Sequence, residues 1–434
     1  MLELEQLSFF GQKPYSTINT IQYLGSKREL LHWIVPFIEE QTQVDDVIID
    51  LFAGTGSLGY ALKHRNTIFS NDVQTYSYII NKALLQELNY SDIESIQSTY
   101  RTYYDHNFNW LYSRISSLIE KEDSYLKNDD LSLYEEYNEW CEKTPFRFSK
   151  FELYPQNEFY PLQKLIDEVD KLKADFNLMY TTYYSNAYFG IRQCMQIDSL
   201  RYAIEYMPTE LKNIAFTALM SAMSFSVTST THFAQFLKVK NEKNYINVKS
   251  KRNRDIYLLF WDKFHYLLKE LKNNNTSNNH KVFNKDFKEV LLDKSVKNSD
   301  ISLIYADPPY FKEHYSRYYH LIESLVIYDY PELTFNPRIN TVTVGRYPKD
   351  RIISDFGKKS YAPLAFKELA KLSSELGAEL FISYSDNSIV DLSSIVKVCS
   401  KYYSKVEVKE LQHKHSKQGR KESCTVLEYL IMCN

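Results

Sequence analysis

Glycine is scarce in this 434-residue sequence: there are 10, where an average composition gives about 30. Long apolar runs are missing too. The longest apolar-leaning stretch, residues 214–227, is too short and too mixed to span a bilayer, which takes about 20 apolar residues. That excludes a transmembrane bundle. No sign of charge dominates, with 52 Lys+Arg against 55 Asp+Glu and a net charge of -3. A uniformly basic nucleic-acid binder is excluded; a local basic groove is not, because the distribution of charge steers a partner. The five cysteines (Cys141, Cys194, Cys399, Cys424, Cys433) form no CxxC pair, which argues against a zinc ribbon or a disulfide framework. The first residues, MLELEQLSFFGQ, lack the basic flank and apolar core of a signal peptide, so the cytoplasm is the expected location.

What is present is an ordinary globular composition, 44% hydrophobic and 25% charged, with length for two or three domains. Tyrosine is abundant, at 37. Five of the few glycines (Gly11, Gly25, Gly54, Gly56, Gly59) fall in the first 60 residues, which implies that the backbone requires them there.

Residues 46–88 read strand, glycine turn, helix, strand, helix. From about 90 to 275 the strand signals stop and helical periodicity takes over, with helices expected at 93–104, 110–126, 161–176, 197–206, 210–225 and 254–272. A polar, Asn-rich stretch at 272–280 reads as a loop. Strands then return at 281–287, 301–306, 380–385, 406–411 and 423–432. The expected fold is α/β, a sheet flanked by helices and built from residues 1–90 and 280–434, with a large, mainly helical insertion at 91–279.

Two turns carry chemistry. Gly54-x-Gly56-x-x-Gly59 follows the strand ending in Asp50-Leu51-Phe52, and Asp72 closes the next strand 18 residues beyond Gly54. Glycines let a backbone approach a cofactor closely, and an acid at that distance suits ribose hydroxyls. The same loop also fits a tight βα turn without a ligand. Asp50 beside it disfavours a pyrophosphate by repulsion and favours a cation, which points to S-adenosylmethionine over NAD. The second turn, Asp307-Pro308-Pro309-Tyr310, follows an apolar strand. Two prolines fix φ and donate no hydrogen bond, so the turn presents the Asp307 carboxylate and Pro308 carbonyl as stiff acceptors beside an aromatic ring. Such acceptors suit an exocyclic amine next to an electrophilic methyl group.

These residues together resemble the alpha-class, Dam-like adenine-N6 DNA methyltransferases. Asp50-Leu-Phe-Ala-Gly-Thr-Gly-Ser57 resembles the family's S-adenosylmethionine loop, Asp72 its ribose acid, and Asn284-Lys-Asp286-Phe287 its cofactor-adenine contact. Asp307-Pro-Pro-Tyr310 resembles the catalytic motif, and Tyr23-Leu-Gly-Ser-Lys27 the segment that closes over the methionine moiety. The resemblance covers about 245 residues, the two α/β segments. It implies a Rossmann-like methyltransferase sheet, S-adenosylmethionine as cofactor, no metal, and double-stranded DNA as substrate. By the same resemblance Asp307, Pro308, Pro309 and Tyr310 are catalytic. Tyr23, Lys27, Asp50, Phe52, Gly54, Gly56, Asp72, Asp286, Phe287 and Asp307 hold the cofactor, and the insertion carries target recognition.

Phosphate contacts need Lys and Arg. Lys238, Lys240, Lys249, Lys251, Arg252 and Arg254 form one basic stretch; His413, Lys414 and Arg420 lie in another. The first reads equally well as a solvated charged loop. A monomer suffices for methylating one adenine at a time, and no nuclease motif is evident, so a restriction or phage-defence partner would be a separate chain. An RNA or cytosine-N4 methyltransferase, and a catalytically silent binding subunit, are the alternatives.

Overall fold

The computed structural model describes residues 15–23, 27–88, 94–150, 153–230, 232–276, 278–309, 315–338, 340–386, 388–415 and 424–434. Its strands are β1 (Val47–Asp50), β2 (Thr67–Asn71), β3 (Lys281–Phe283), β4 (Ile301–Ala306), β5 (Phe335–Asn336), β6 (Thr341–Val342), β7 (Glu379–Ser385), β8 (Val406–His415) and β9 (Cys424–Cys433). Seven of them form one sheet in the order β3-β2-β1-β4-β7-β9-β8. All neighbours pair in parallel from β3 to β7; β9 runs antiparallel between β7 and β8. The order reverses between β1 and β4, so the carboxyl ends of these strands flank a crevice where α/β sheets bind ligands.

The central strands are apolar on both faces because helices cover both. Ile48 of β1 and Leu303 of β4 pack with Leu31, Ile34 and Ile38 of the helix Leu31–Gln41. Ile49 and Ile304, one residue on, pack with Phe366 and Leu369 of the helix Ala362–Glu375 on the other side. This alternation with period two gives helix–sheet–helix layers around a Rossmann-like sheet.

The stretch between β2 and β3 is helical among the described residues. Its later helices share one core with the sheet domain: Leu219 and Phe264 cluster with Tyr76 and Ile80 of the helix Thr75–Leu85 and with Leu321 of the helix His320–Ile327. Its earlier part has a core of its own around Leu111, Tyr137, Trp140 and Leu162.

Three expectations differ. The helices expected at 93–104 and 110–126 are one, Glu94–Leu126, bent at Ile115; the polar residues between them lack the Pro or Gly that would stop it. The helix expected at 161–176 is broken into Tyr160–Asp167 and Val169–Leu172. The basic stretch, which reads from sequence as a candidate DNA-binding segment or equally as a solvated charged loop, is a helix over Glu242–Arg252, its start capped by Asn241, which accepts from the Asn244 N–H at 2.9 Å. The Asn-rich connection before β3 is tied down. Asn275 exchanges two hydrogen bonds with the Leu88 backbone, and His280 Nδ1 accepts the Ile68 N–H of β2 at 3.0 Å. No described helix is long and apolar enough to cross a membrane.

Candidate active site

The turn after β1 is held by both neighbouring strands. The Leu51 N–H donates to the Tyr305 carbonyl and the Ala53 N–H to the Asn71 carbonyl, both at 2.9 Å. Gly54 and Gly56 then take φ of +51° and +71°, the left-handed region where a Cβ is strained. At Gly56 a Cβ would also meet Asn81 Oδ1 at 2.7 Å. That amide is fixed: it accepts from Ser70 Oγ at 2.7 Å and donates to the Gly54 carbonyl at 3.2 Å. Ser77 Oγ donates to the same carbonyl at 2.5 Å. Gly59 plays a different part, letting the helix Ser57–Leu62 lie against Ile68 of β2.

Asp72, one residue past β2, reaches back into this turn. Its Oδ2 accepts the Gly54 N–H and its Oδ1 the Gln74 N–H, each at 2.9 Å. Burial raises the Asp72 carboxyl above its usual range against these bonds. Asn284 fastens the turn after β3 alongside, donating to the Asp72 and Val73 carbonyls at 2.9 and 3.1 Å.

β4 leads directly into Asp307. Lys27, at the head of the 3-10 turn Lys27–Leu30, sets its Nζ 3.3 Å from Asp307 Oδ1 and 3.6 Å from Glu428 Oε2 of β9. Burial, with Glu428 adding and Lys27 opposing, raises the Asp307 carboxyl to about 6. Burial beside Asp307 and Asp72 raises the Asp50 carboxyl to about 8. Asp307 and Glu428 thus share one lysine, and Asp50 lies near Asp307 and Asp72, a carboxyl-rich arrangement that favours a cationic ligand.

These strand ends border a cavity that opens to solvent. Of the residues expected to hold a cofactor, Tyr23, Phe52, Asp72, Asp286, Phe287 and Asp307 line it, with Pro309. Asp50, Gly54, Gly56, Lys27 and the buried Pro308 stand behind that lining. One end is an aromatic box: Phe52 lies 6.0 Å from Phe287, and Phe356 5.3 Å from each. Asp286 begins the short helix Phe287–Leu291 and accepts the Lys288 N–H at 3.0 Å. At the other end Tyr23 stacks on Tyr319 at 4.8 Å and covers Gly54. Tyr310, with Leu24, Gly25 and Ser26, lies outside the described residues.

Sequence reasoning missed two contributors. Residues 352–357, including Phe356, form a whole wall; Gly357 was the only hint there. Glu428 lay far from every motif, although a lone acid in Leu427-Glu-Tyr-Leu-Ile-Met432 continues the core-facing row of Leu430 and Met432.

The basic stretch separates into unlike residues. Lys238 and Lys240 are exposed, Lys238 paired with Glu142 at 2.8 Å. Lys249 donates to the Asn128 carbonyl. Lys251 and Arg254 both donate to the Phe225 carbonyl, at the end of the helix Thr209–Ser226. Arg252 is buried and corrects its reading as a phosphate contact. Its guanidinium turns inward to Tyr137 Oη at 2.7 Å and to the Asn186 and Ala187 carbonyls at 3.1 and 3.0 Å. The side chains of His413 and Lys414, and all of Arg420, lie outside what is described.

Comparison with known proteins agrees with this geometry. The chain is 26% identical over 390 residues to the modification methylase LlaI of Lactococcus lactis subsp. lactis, covering 88% of this chain and 49% of that protein. It is 24% identical over 320 residues to the type II methyltransferase M.FokI of Planomicrobium okeanokoites, covering 72% and 38%. It therefore spans half or less of the length of these two relatives. Against the type II methyltransferase M.CviAII of Paramecium bursaria Chlorella virus 1 it is 26% identical over 412 residues, covering 92% and 94%. Residues 23–160 and 156–345 match the family described as D12 class N6 adenine-specific DNA methyltransferase, and the chain belongs to that family.

Proposed function

We propose that the protein transfers a methyl group from S-adenosylmethionine to the N6 amino group of adenine in double-stranded DNA. One observation carries this reading: Asp307 stands at the end of β4 in the wall of the cavity that Tyr23, Asp72, Asp286 and Phe287 also line. The residues fit the cofactor part by part. The box of Phe52, Phe287 and Phe356 suits a purine. Asp72 offers acceptors to ribose hydroxyls. The carboxyl cluster of Asp50, Asp72, Asp307 and Glu428 suits a sulfonium. When bound, S-adenosylmethionine supplies the electrophilic methyl group.

The chain's own work is positioning. The Asp307 carboxylate and Pro308 carbonyl accept the two N–H bonds of the target amine and aim its lone pair. Pro308 and Pro309 keep those acceptors still. Tyr310 is the proposed stacking platform for the base. A base inside a duplex cannot reach the cavity, so it is flipped out, at a cost of a few kcal/mol. Residues 1–90 and 280–434 are the proposed catalytic domain, and 91–279 the proposed recognition domain, with Lys238 and Lys240 as exposed phosphate contacts. A separate restriction or phage-defence enzyme is the proposed partner, and the cytoplasm the proposed location.

The test is tritiated methyl transfer to unmethylated plasmid, followed by nucleoside analysis, with wild type and Asp307→Ala. N6-methyladenine from wild type alone is the expected result. Cofactor binding without any modified adenine in DNA would overturn the reading, and N4-methylcytosine or methylated RNA would replace it.

A further inference from the structure

β9 alternates along its length. Leu430 and Met432 point into the layer beneath the helix Leu31–Gln41, and Glu428 continues that row at the strand's cavity end. It is 3% exposed where a third apolar side chain would be expected. A buried carboxylate is costly without a partner. Glu428 pairs with Lys27, which it shares with Asp307 at comparable distances, 3.6 and 3.3 Å.

We propose that Glu428 is a positioning residue: by sharing Lys27 it keeps the ammonium from closing onto Asp307, and so leaves the Asp307 carboxylate available to the amino group of the target base. The assignment rests on the function proposed above. An ammonium has three N–H donors and can serve two carboxylates at once. Without Glu428 one competitor for that ammonium is gone, and Lys27 is drawn onto Asp307 Oδ1, an acceptor that the amine would otherwise share.

The groups facing Asp307 come from every neighbouring element. They are Lys27, Asp50 at the end of β1, Tyr305 on β4 and Glu428 on β9. Glu428 is flanked across the sheet by Ser385 of β7 and Leu411 of β8, with Asp386 the next acid beyond Ser385. Of these, Glu428 pushes the Asp307 carboxyl up, and Lys27 pulls it down. Glu428→Gln removes one push and one competitor for Lys27. Both changes lower the pH at which Asp307 loses its proton.

The experiment compares wild type, Glu428→Gln, Glu428→Asp and Leu430→Ala. Leu430→Ala disturbs the same row of β9 without touching Lys27. Asp307 is followed by carbon-13 carboxyl NMR, its signal identified by its loss in Asp307→Asn, and kcat for plasmid methylation is measured from pH 5 to 9. In Glu428→Gln the Asp307 midpoint and the acid limb of kcat are expected to move down from about 6. At neutral pH kcat is expected to fall about tenfold or more, as a misplaced positioning group costs. Glu428→Asp should restore the wild-type profile. An unmoved midpoint, or one moved equally by Leu430→Ala, would overturn the assignment. The carboxyl titration needs no substrate, so it decides the role of Glu428 even if plasmid adenine stays unmodified, a result that would sink the proposed function alone.

Discussion

Asp72 Oδ2 and the Gly54 N–H are joined by a 2.9 Å hydrogen bond, so the acid at the end of one strand sets the shape of the turn after the next. Asp72→Ala therefore does two things: it removes a cavity acceptor and releases the glycine turn. Binding of S-adenosylhomocysteine should weaken by about 2 kcal/mol, roughly thirtyfold, the scale of a lost hydrogen bond to a charged group. Calorimetric titration reads this directly. An affinity within twofold of wild type would mean that neither role is used.

Gly56 and Gly59 should answer differently to alanine. Gly56→Ala meets both a left-handed backbone and the fixed Asn81 amide, and should cost more than about 2 kcal/mol in urea unfolding. Gly59→Ala has an ordinary helical backbone and a contact of 3.2 Å to Ile68 Cγ2. The helical gain of about 0.5–1 kcal/mol should nearly offset that tightness. Equal losses at the two positions would refute this distinction.

Asp50 predicts how stability depends on pH. Its carboxyl is raised from 3.8 to about 8 in the folded chain, so the folded state holds a proton that the unfolded state has released. That contribution is whole below the unfolded value and is lost as pH rises through about 8. Cofactor-free protein should be less stable to urea at pH 8.5 than at pH 5.5, and Asp50→Asn should flatten the slope. A slope that Asp50→Asn leaves intact must arise elsewhere.

Arg252 and Lys240 lie in one basic run and should behave as opposites. Arg252→Ala strips the Tyr137 hydroxyl and two backbone carbonyls of a buried partner, and should cost about 3 kcal/mol or more. Lys240→Ala, at an exposed position, should stay within about 0.5 kcal/mol of wild type. It should instead lower the slope of log affinity for DNA against log salt by about 1. A salt slope unchanged by Lys240→Ala would remove that residue from the DNA surface.

Much of this site could be read from the chain because strand ends bear sharp signals. Asp50, Asp72 and Asp307 each terminate an apolar run, and a parallel sheet brings such termini to one edge whatever lies between them. Charge alone could not sort the basic run. Tyr245, Val248 and Arg252, at helical spacing, form the buried face of their helix, and that periodicity was the available clue. The wall at 352–357 and Glu428 were beyond reach for another reason. Residues 352–357 reach the cavity, and Glu428 reaches Lys27, through the path of the chain after β6, which no local pattern specifies.

The pairing of Val47 with Ile301 has a consequence for how the protein is made. During synthesis β1 emerges before the helical insertion, and the strand that completes its second edge follows all of it. Until then β1 presents an unpaired apolar edge, the kind of surface that recruits chaperones or other nascent chains. The pairing is also highly non-local, which slows folding. The cavity bordered by the ends of both β1 and β4 is therefore completed late, and on the proposed function the onset of cofactor binding on a refolding chain marks completion of the sheet.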